Sequence, residues 1–406
     1  MMNDTRFEQE LRAGLRAESE RLINVDRAWN RFLRRRQATR RRRQLAAAAV
    51  AAAAVITVLV PAVVVRLGGA VASHSGQRPA RPVPTTPAGD AVVARIPVAD
   101  VISLASYGSD VWALTDTHEL VRIDARTNVV TLRVPVAGLA KDTTVVTGGG
   151  ALWLDGLGSS GDSRLLRIDP ATGAISARTN LPAGCGQAAY GLGHVWVLCN
   201  GTDTARVLRI DPATALVDAQ TGTLPGPAYS LVAGSEGVWY ITDDAGPAQV
   251  DPSGTHLTGL KVTGPKYLNV HSPDYIGPLA GSQLVLGGGA VWALAGNVSG
   301  RPESIAAINP ATGRITRAFT YSEAAGVNYD FWGLYATVGQ GSIWVLAPLG
   351  HNEVVRVSMT TGKPLSVVHP GGSCSQYCTQ IYDAAGAVWE PTSQQILRID
   401  PARMPG

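Results

Sequence analysis

Residues 165–175 read LLRIDPATGAI, and residues 207–217 repeat almost the same phrase as VLRIDPATALV. The chain holds seven copies of this phrase, which begin at Val121, Leu166, Leu208, Ala248, Ala306, Val355 and Leu397. Before each copy lie a Gly-rich stretch, an apolar residue and a tryptophan, and these tryptophans are Trp112, Trp153, Trp196, Trp239, Trp292, Trp344 and Trp389. Their successive spacings are 41, 43, 43, 53, 52 and 45 residues. Repetition at this period is typical of a propeller or a solenoid.

One repeat, taken around Trp196, predicts four short strands. These are Gln187–Tyr190, His194–Cys199, Arg206–Asp211 and Leu216–Thr221. Glycines separate the first two strands, and Asp-Pro-Ala-Thr supplies turn residues between the last two. β-branched residues and glycines dominate without a 3.6-residue period, which argues against a helical repeat. Four short antiparallel strands with such turns make one propeller blade.

The two ends of the repeat region predict how the ring closes. The last repeat stops at Pro401 after its third strand, whereas residues 91–98, AVVARIPV, form an extra strand before the first repeat. That strand is similar to the fourth strands of other repeats, such as NVVTLRVPV from Asn128. We expect it to complete the seventh blade and so remove an exposed sheet edge. The fold class is therefore all-β, a seven-bladed β-propeller over residues 91–406.

The phrases VWxL and RIDPATG resemble those of the seven-bladed propellers in the streptogramin lyase-like and quinoprotein-like repeat group. The resemblance covers residues 91–406 and implies the fold, because the matching residues shape blades and turns. We interpret the tryptophans as core or inter-blade packing residues and not as a cofactor box. No cofactor is expected.

The first ninety residues have a different composition. Residues 1–44 contain 13 arginines and 6 acidic residues, and residues 45–65 carry no charge over 21 positions. This predicts a helical cytoplasmic head over 1–44, a transmembrane helix over 45–65, which is long enough to span a bilayer, and a Pro-rich linker over 66–90. Because arginines mark the cytoplasmic side, the propeller is expected outside the cell membrane. The alternative is a secretory or twin-arginine signal cleaved after Ala72, but the apolar run is longer than usual for one.

The head has its own pattern. Phe7, Leu11 and Leu15 recur every four residues and predict an amphipathic helix, which could lie on anionic lipid. The phrases LRAGLRAESER and VDRAWNRF resemble the heads of membrane proteins linked to extracytoplasmic-function sigma factors, which implies a sigma-factor-related partner as the second hypothesis. Nucleic-acid binding is not expected, since membrane topology already accounts for the arginines. The chain's net charge of +4 also hides 19 basic and 24 acidic residues in 91–406.

All four cysteines lie in the repeat region. Cys185 and Cys199 are symmetric about residue 192, so a hairpin turning there places them opposite each other. Cys374 and Cys378 could close a small loop. Four cysteines allow three pairings, and local spacing favours these two. Disulfides fit an exported domain, whereas zinc ligation would require a second ligand pair and no metal site is expected.

The sequence also predicts where a ligand binds. Loops between second and third strands and between successive blades share one face, the loop face, and the remaining turns share the opposite, turn face. Two blade-to-blade insertions, 263–281 and 321–334, flank blade five and explain the long spacings. They supply the candidate ligand-binding residues Tyr267, His271, Asp274, Tyr275, Tyr329, Asp330 and Trp332. Exposed aromatics beside acids are typical of binding surfaces, although such residues can also be ordered decoration.

These observations favour a membrane-anchored binding or scaffolding module for an extracytoplasmic protein, a glycan or a small ligand. The alternative is a lyase-like enzyme acting on a secondary metabolite, because streptogramin lyases use histidine and glutamate on this face. Here His118, Glu119, His351 and Glu353 lie in second-to-third-strand loops of blades one and six. The lyase motif is not matched residue for residue, so no catalytic residue is assigned. No Ser-His-Asp or nucleotide-binding signature is found either.

Overall fold

Seven antiparallel sheets, each of four main strands, follow one another along the chain in a computed structural model. The structure describes residues 85–86, 91–136, 143–157, 162–201, 204–242, 246–262, 283–295, 304–320, 335–347, 353–369 and 380–404. By contacts the chain divides into two compact units, Met1–Pro79 and Ala80–Gly406, and every described residue belongs to the second. The predicted head and membrane span lie outside the described residues. Among the residues that are described, no helix is long and apolar enough to cross a membrane.

The strands of each blade are given in order from the inner to the outer edge of the sheet. Blade one contains Val101–Tyr107, Asp110–Thr115, Glu119–Asp124 and Val129–Pro135. Blade two contains Thr144–Gly148, Ala151–Leu157, Ser163–Ile168 and Ile175–Leu181. Blade three contains Cys185–Gly191, His194–Asn200, Thr204–Ile210 and Val217–Gln220, with Leu224–Pro225 added beside its third strand. Blade four contains Ala228–Gly234, Gly237–Thr242, Gly246–Val250 and Leu257–Lys261.

The remaining blades continue the pattern. Blade five contains Gln283–Gly287, Ala290–Ala295, Ser304–Ile308 and Ile315–Thr320. Blade six contains Tyr335–Gly339, Ser342–Ala347, Glu353–Ser358 and Pro364–Val368. Blade seven contains Tyr382–Ala384, Ala387–Pro391 and Ile396–Ile399, and its outer strand is Val92–Ile96 from the start of the repeat region. A short 3-10 helix, Pro401–Arg403, follows.

The predicted closure of the ring is confirmed. Val92 pairs with Ile399 and Ile96 with Ile396, so the first strand in the chain is the outer strand of the last blade. Each inner strand contacts the inner strand of the next blade, and the inner strand of blade seven contacts that of blade one. The ring is therefore continuous, and the third strand of blade seven has a partner on both sides.

The seven tryptophans are fully buried, and their predicted packing role is confirmed. Each indole ring packs toward the following blade: Trp196 shares a core cluster with Val238 and Tyr240 of blade four, and Trp389 shares one with Val111 of blade one. In most blades the indole N–H group also donates a hydrogen bond. The Trp196 Nε1 donates to the Gly191 carbonyl at 2.9 Å, and the equivalent bond forms in five other blades.

An inter-blade latch is formed by the arginine of the RIDP phrase in five blades and by Arg317 of the fourth strand in blade five. In blade three, Arg209 lies opposite Trp196 on the neighbouring strand and donates from Nη1 to the Pro252 carbonyl of blade four at 3.0 Å. In blade seven, Arg398 lies over the Trp389 ring and donates to the Ala125 carbonyl of blade one at 2.6 Å. An arginine makes such a bond at six of the seven steps among the described residues. This inter-blade latch explains why the phrase recurs.

The aspartate of the same phrase holds its turn. The Asp169 Oδ1 accepts from the backbone N–H groups of Ala171 at 2.7 Å and Thr172 at 3.3 Å. A side-chain oxygen at the matching position makes the same kind of bond in the other six copies. Backbone donors hold the pKa of Asp124 and of Asp211 below the usual range. Gly173 closes the turn at a φ of 73°, which favours glycine.

The linker predicted over 66–90 contains one element that the sequence did not indicate. Thr85–Thr86 is a two-residue strand that pairs in parallel with Val367 and Val368. It adds a fifth strand to the outer edge of blade six. Outer strands carry unpaired backbone groups, and so can accept an additional strand from any nearby segment.

Candidate functional site

A cavity of about 600 Å³ lies at the centre of the ring, and residues from the inner strands of all seven blades line it. At the register position opposite each tryptophan the inner strands carry Ala105, Val146, Ala189, Val232, Val285, Thr337 and Tyr382. Six of these side chains are alanine, valine or threonine, and all seven residues line the cavity. Tyr382 is the only aromatic residue in this set.

Polar side chains nearer the loop face join neighbouring inner strands. The Ser103 Oγ of blade one accepts from the Val145 N–H of blade two at 3.0 Å. The Ser230 Oγ of blade four accepts from the Leu284 N–H of blade five at 3.1 Å. The inner strand has no strand partner on its channel side, so its N–H groups need other acceptors. The preceding blade provides those acceptors.

Asp155 makes the same connection between blades two and three. This carboxyl is fully buried, and its Oδ2 accepts from the Ala188 N–H at 2.8 Å. Its Oδ1 accepts from the Thr144 N–H at 3.0 Å and also from the Thr144 hydroxyl. Burial raises the pKa of Asp155, and these hydrogen bonds oppose the rise. With both oxygens engaged, Asp155 is a structural bracket.

Side-chain amides make the corresponding connection between two further pairs of neighbouring blades. Asn200 of blade three pairs with Ala228 of blade four through two hydrogen bonds of 2.9 Å, one donated in each direction. The Gln283 Oε1 of blade five accepts from the Ala336 N–H of blade six at 3.2 Å. The polar band near the loop face therefore serves first to hold the inner strands together.

Tyr382 lies where blade seven meets blade one, beside Ser103 and Leu104. Burial raises the pKa of its hydroxyl, so the group is neutral at physiological pH. The hydroxyl oxygen has no well-formed hydrogen bond. Because the hydroxyl is buried beside Ser103 and Leu104, Tyr382 borders the cavity only through its other atoms.

Glu390 is a buried acid that sequence reasoning missed. It is fully buried, directly follows Trp389, and shares a strand face with Val388, which packs into the core cluster between blades six and seven. Neither carboxyl oxygen has a hydrogen-bond partner. Burial raises its pKa to about 8, against a smaller opposing effect of the Arg95 charge.

A signal for Glu390 was present in the repeat itself. The residue after the tryptophan in the other six copies is Ala113, Leu154, Val197, Tyr240, Ala293 or Val345. Five of these are aliphatic, so the acid breaks the pattern. Tyr240 also departs from it: burial raises the pKa of its hydroxyl to about 12, and the hydroxyl oxygen has no partner.

The seven candidate ligand-binding residues predicted from the sequence lie outside the described residues. They are Tyr267, His271, Asp274, Tyr275, Tyr329, Asp330 and Trp332. The strand bounds place their two segments between the outer strand of blade four and the inner strand of blade five, and between blades five and six. Their assignment to blade-to-blade connections is thus confirmed, and their binding role stays a prediction.

The residues considered for lyase chemistry lie in separate blades. Glu119 accepts from the Arg133 Nη1 at 2.6 Å on the outer part of blade one, and His118 occupies the preceding turn at a φ of 60°. The Glu353 Oε1 lies 3.4 Å from the His369 Nδ1 in blade six. His351 lies outside the described residues. Among those that are described, no three His, Cys, Asp or Glu side chains form a group able to hold a metal ion.

The first predicted disulfide is confirmed. Cys185 and Cys199 face each other across the first two strands of blade three and are joined by a disulfide. The bond lies at the loop-face end of that hairpin. Cys374 and Cys378 lie outside the described residues, so their pairing stays a prediction.

Comparison with known proteins assigns the chain to no family. No family model matches the chain, and no curated protein matches it. Among solved structures, the chain is similar to the crystal structure of BamB from Moraxella catarrhalis. The match has 16% sequence identity and a TM-score of 0.43, and covers 74% of this chain and 82% of that one. The chain is therefore described by its architecture, a seven-bladed β-propeller closed by its N-terminal strand.

Proposed function

We propose that this chain is a membrane-anchored binding or scaffolding module whose propeller lies outside the cell membrane. The observation that carries the proposal is the difference between the two faces of the ring. On the turn face, the repeated aspartates and arginines are engaged in turns and inter-blade latches. On the loop face, the repeat spacing grows to 53 and 52 residues around blade five. Sequence that varies on a rigid frame is where binding residues are usually found.

The location rests on two supports. Residues 45–65 carry no charge and follow a run of arginines, which favours a cytoplasmic N-terminus. The Cys185–Cys199 disulfide fits an oxidising compartment. Protease added to intact spheroplasts should digest the propeller and spare residues 1–44. A propeller that survives until the membrane is permeabilised would contradict this topology.

Site-specific photo-crosslinking in cells tests the binding surface. A photoreactive amino acid at Tyr267 or Tyr329 should give a discrete crosslinked product. The matched controls place the same amino acid at Ala171 and Ala213, which are exposed in turn-face turns. Products from the controls alone, or equal products from all four positions, would refute a partner on the loop face.

The lyase-like alternative requires histidine and glutamate side chains on the loop face. If the chain is a binding module, replacing His118, His351 and Glu353 together with alanine should leave the crosslinked product unchanged. Loss of the crosslink in a variant that melts at the wild-type temperature would instead favour a site built on those residues. The resemblance to the streptogramin lyase-like group would then extend from blade architecture to chemistry.

A further inference from the structure

The central cavity has the size and the mixed lining of a small-molecule site. Its volume of about 600 Å³ falls within the range of about 300–1,000 Å³ that is usual for ligand pockets. Its wall has a band of polar residues near the loop face and a band of mostly small apolar residues at the positions opposite the tryptophans. Several lining side chains, Thr144 and Gln187 among them, are only half-buried, so the cavity is open to solvent.

The wall of the cavity carries no charge. Every described residue that lines it is neutral, although 16% of the whole chain is charged. Asp155, a buried acid that contacts the lining residues Thr144 and Ala188, accepts hydrogen bonds from both with its carboxylate oxygens. A charged ligand would therefore lose hydration in the cavity without gaining a counter-charge. The lining selects against ions.

Three carboxamides give the cavity its hydrogen-bonding capacity. Gln187, Gln283 and Gln380 come from blades three, five and seven and thus from well-separated positions around the ring. Gln283 uses its Oε1 to accept from Ala336, which leaves its NH₂ group available. In the part of the chain that the structure describes, no hydrogen bond engages the side chain of Gln187 or Gln380. A carboxamide donates and accepts at once, and this matches a hydroxyl group, which does the same.

The backbone at Gln187 supports a binding role for this side chain. Its φ is 62°, a left-handed conformation that non-glycine residues rarely adopt. The residue lies at an irregularity in the pairing of the inner strand, between Gly186 and Ala188. A bulge of this kind redirects a side chain, and bulges are common beside binding sites. Gln187 lines the cavity, as do Gln283 and Gln380 at the same position of their repeats.

Tyr382 adds the remaining component. It is the aromatic residue in the apolar band, and it lines the cavity. A sugar-like molecule has hydroxyl groups at its rim and an apolar C–H face. Carboxamides can bond the former, and an aromatic ring can pack against the latter.

We propose that the central cavity binds an uncharged, polyhydroxylated small molecule, of the chemical class of a neutral sugar. Gln187, Gln283 and Gln380 bond its hydroxyl groups, and Tyr382 contacts its apolar face. None of these four residues belongs to the two loop-face insertions, so the proposal goes beyond the partner-binding role proposed above. Failure of one proposal leaves the other standing.

Isothermal titration of the full chain in a sugar-free detergent tests the proposal. The probes are glucose and galactose, with glucuronate and glucosamine as the charged counterparts of glucose and galacturonate as that of galactose. At least one neutral probe should bind, and its charged counterpart should bind at least tenfold more weakly. If the folded chain binds none of the neutral probes, or binds charged and neutral probes equally, the proposal is overturned.

Two variants connect the binding to the cavity. Gln187→Met and Gln380→Met keep the side-chain length and remove the hydrogen bonds, and each should weaken binding by tenfold or more. Thr214→Ala, in an exposed turn on the opposite face, is the control and should bind as the wild type does. A thermal melt confirms that each variant is folded. Unchanged binding in both folded glutamine variants would place the sugar elsewhere and overturn the assignment.

Discussion

Glu390 provides the sharpest test of the energetics, because it is an acid in the core cluster between blades six and seven. We predict that Glu390→Gln stabilises the propeller at neutral pH. The substitution keeps the size of the side chain and removes its ionisation. In the folded state burial raises the pKa to about 8 from the ordinary value of 4.5. In the unfolded state the carboxyl is ionised above 4.5 and gains full hydration, which favours unfolding.

The size of the effect follows from the pKa difference. Each pKa unit corresponds to about 1.36 kcal/mol. The folded state holds its proton until pH 8, so the stability of the wild type is greatest below pH 4.5 and falls as the pH rises toward 8. Relative to a side chain that does not titrate, the acid costs about 1 kcal/mol at pH 5, about 3 kcal/mol at pH 7 and about 4 kcal/mol at pH 8.

The assay is urea denaturation followed by tryptophan fluorescence, since all seven blade tryptophans are buried. Glu390→Gln should raise the urea midpoint strongly at pH 8 and only slightly at pH 5. Glu119→Gln is the control, because Glu119 forms an exposed ion pair with Arg133 that is worth about 1 kcal/mol or less. An equal gain for Glu390→Gln at pH 5 and pH 8 would refute the reasoning, since the gain would then be unrelated to ionisation.

Three further predictions concern the frame. A chain that begins at residue 100 should melt well below one that begins at residue 88, because the loss of buried Ile96 and Val98 alone costs about 4 kcal/mol. Equal melting temperatures would contradict closure by this strand. Asp155→Leu should destabilise the propeller by about 3 kcal/mol and Asp155→Asn by less, since leucine leaves the Ala188 and Thr144 N–H groups without acceptors. Equal melting temperatures for the two variants would argue against a structural role for the Asp155 hydrogen bonds. Reduction should lower wild-type stability by about 3 kcal/mol, because the Cys185–Cys199 bond closes a 14-residue span. The loss should be clearly smaller in Cys185→Ser/Cys199→Ser, which keeps only Cys374 and Cys378, and an equal loss in both proteins would contradict this role.

The sequence predicted the fold well because the repeat marks residues whose role is local. Trp196 recurs at a fixed position in every repeat and Asp211 in most, and each makes a hydrogen bond inside its own blade, so their spacing alone counts the blades. The missing fourth strand after Pro401 and the extra strand at 91–98 predicted the closure for the same reason. The Cys185–Cys199 pair followed from symmetry about a single hairpin turn.

The cavity could not be predicted in this way. Ser103 and Gln283 share one position in their repeats, nine residues before the tryptophan, and Asp155 follows its tryptophan by two, but all three find their partners in a neighbouring blade. No spacing rule within one repeat contains that information. The bulge at Gln187 likewise depends on the pairing of two strands, and no glycine marks the position.

The short strand at Thr85–Thr86 has a mechanical consequence. A pull applied to the chain on the N-terminal side of residue 85 reaches this strand first, and it is held along the edge of blade six at Val367 and Val368. Only after that pairing gives way does tension reach Val92–Ile96, the strand that closes the ring. The two pairings therefore bear load in series, and the pairing of Thr85–Thr86 protects the ring closure from tension until it breaks.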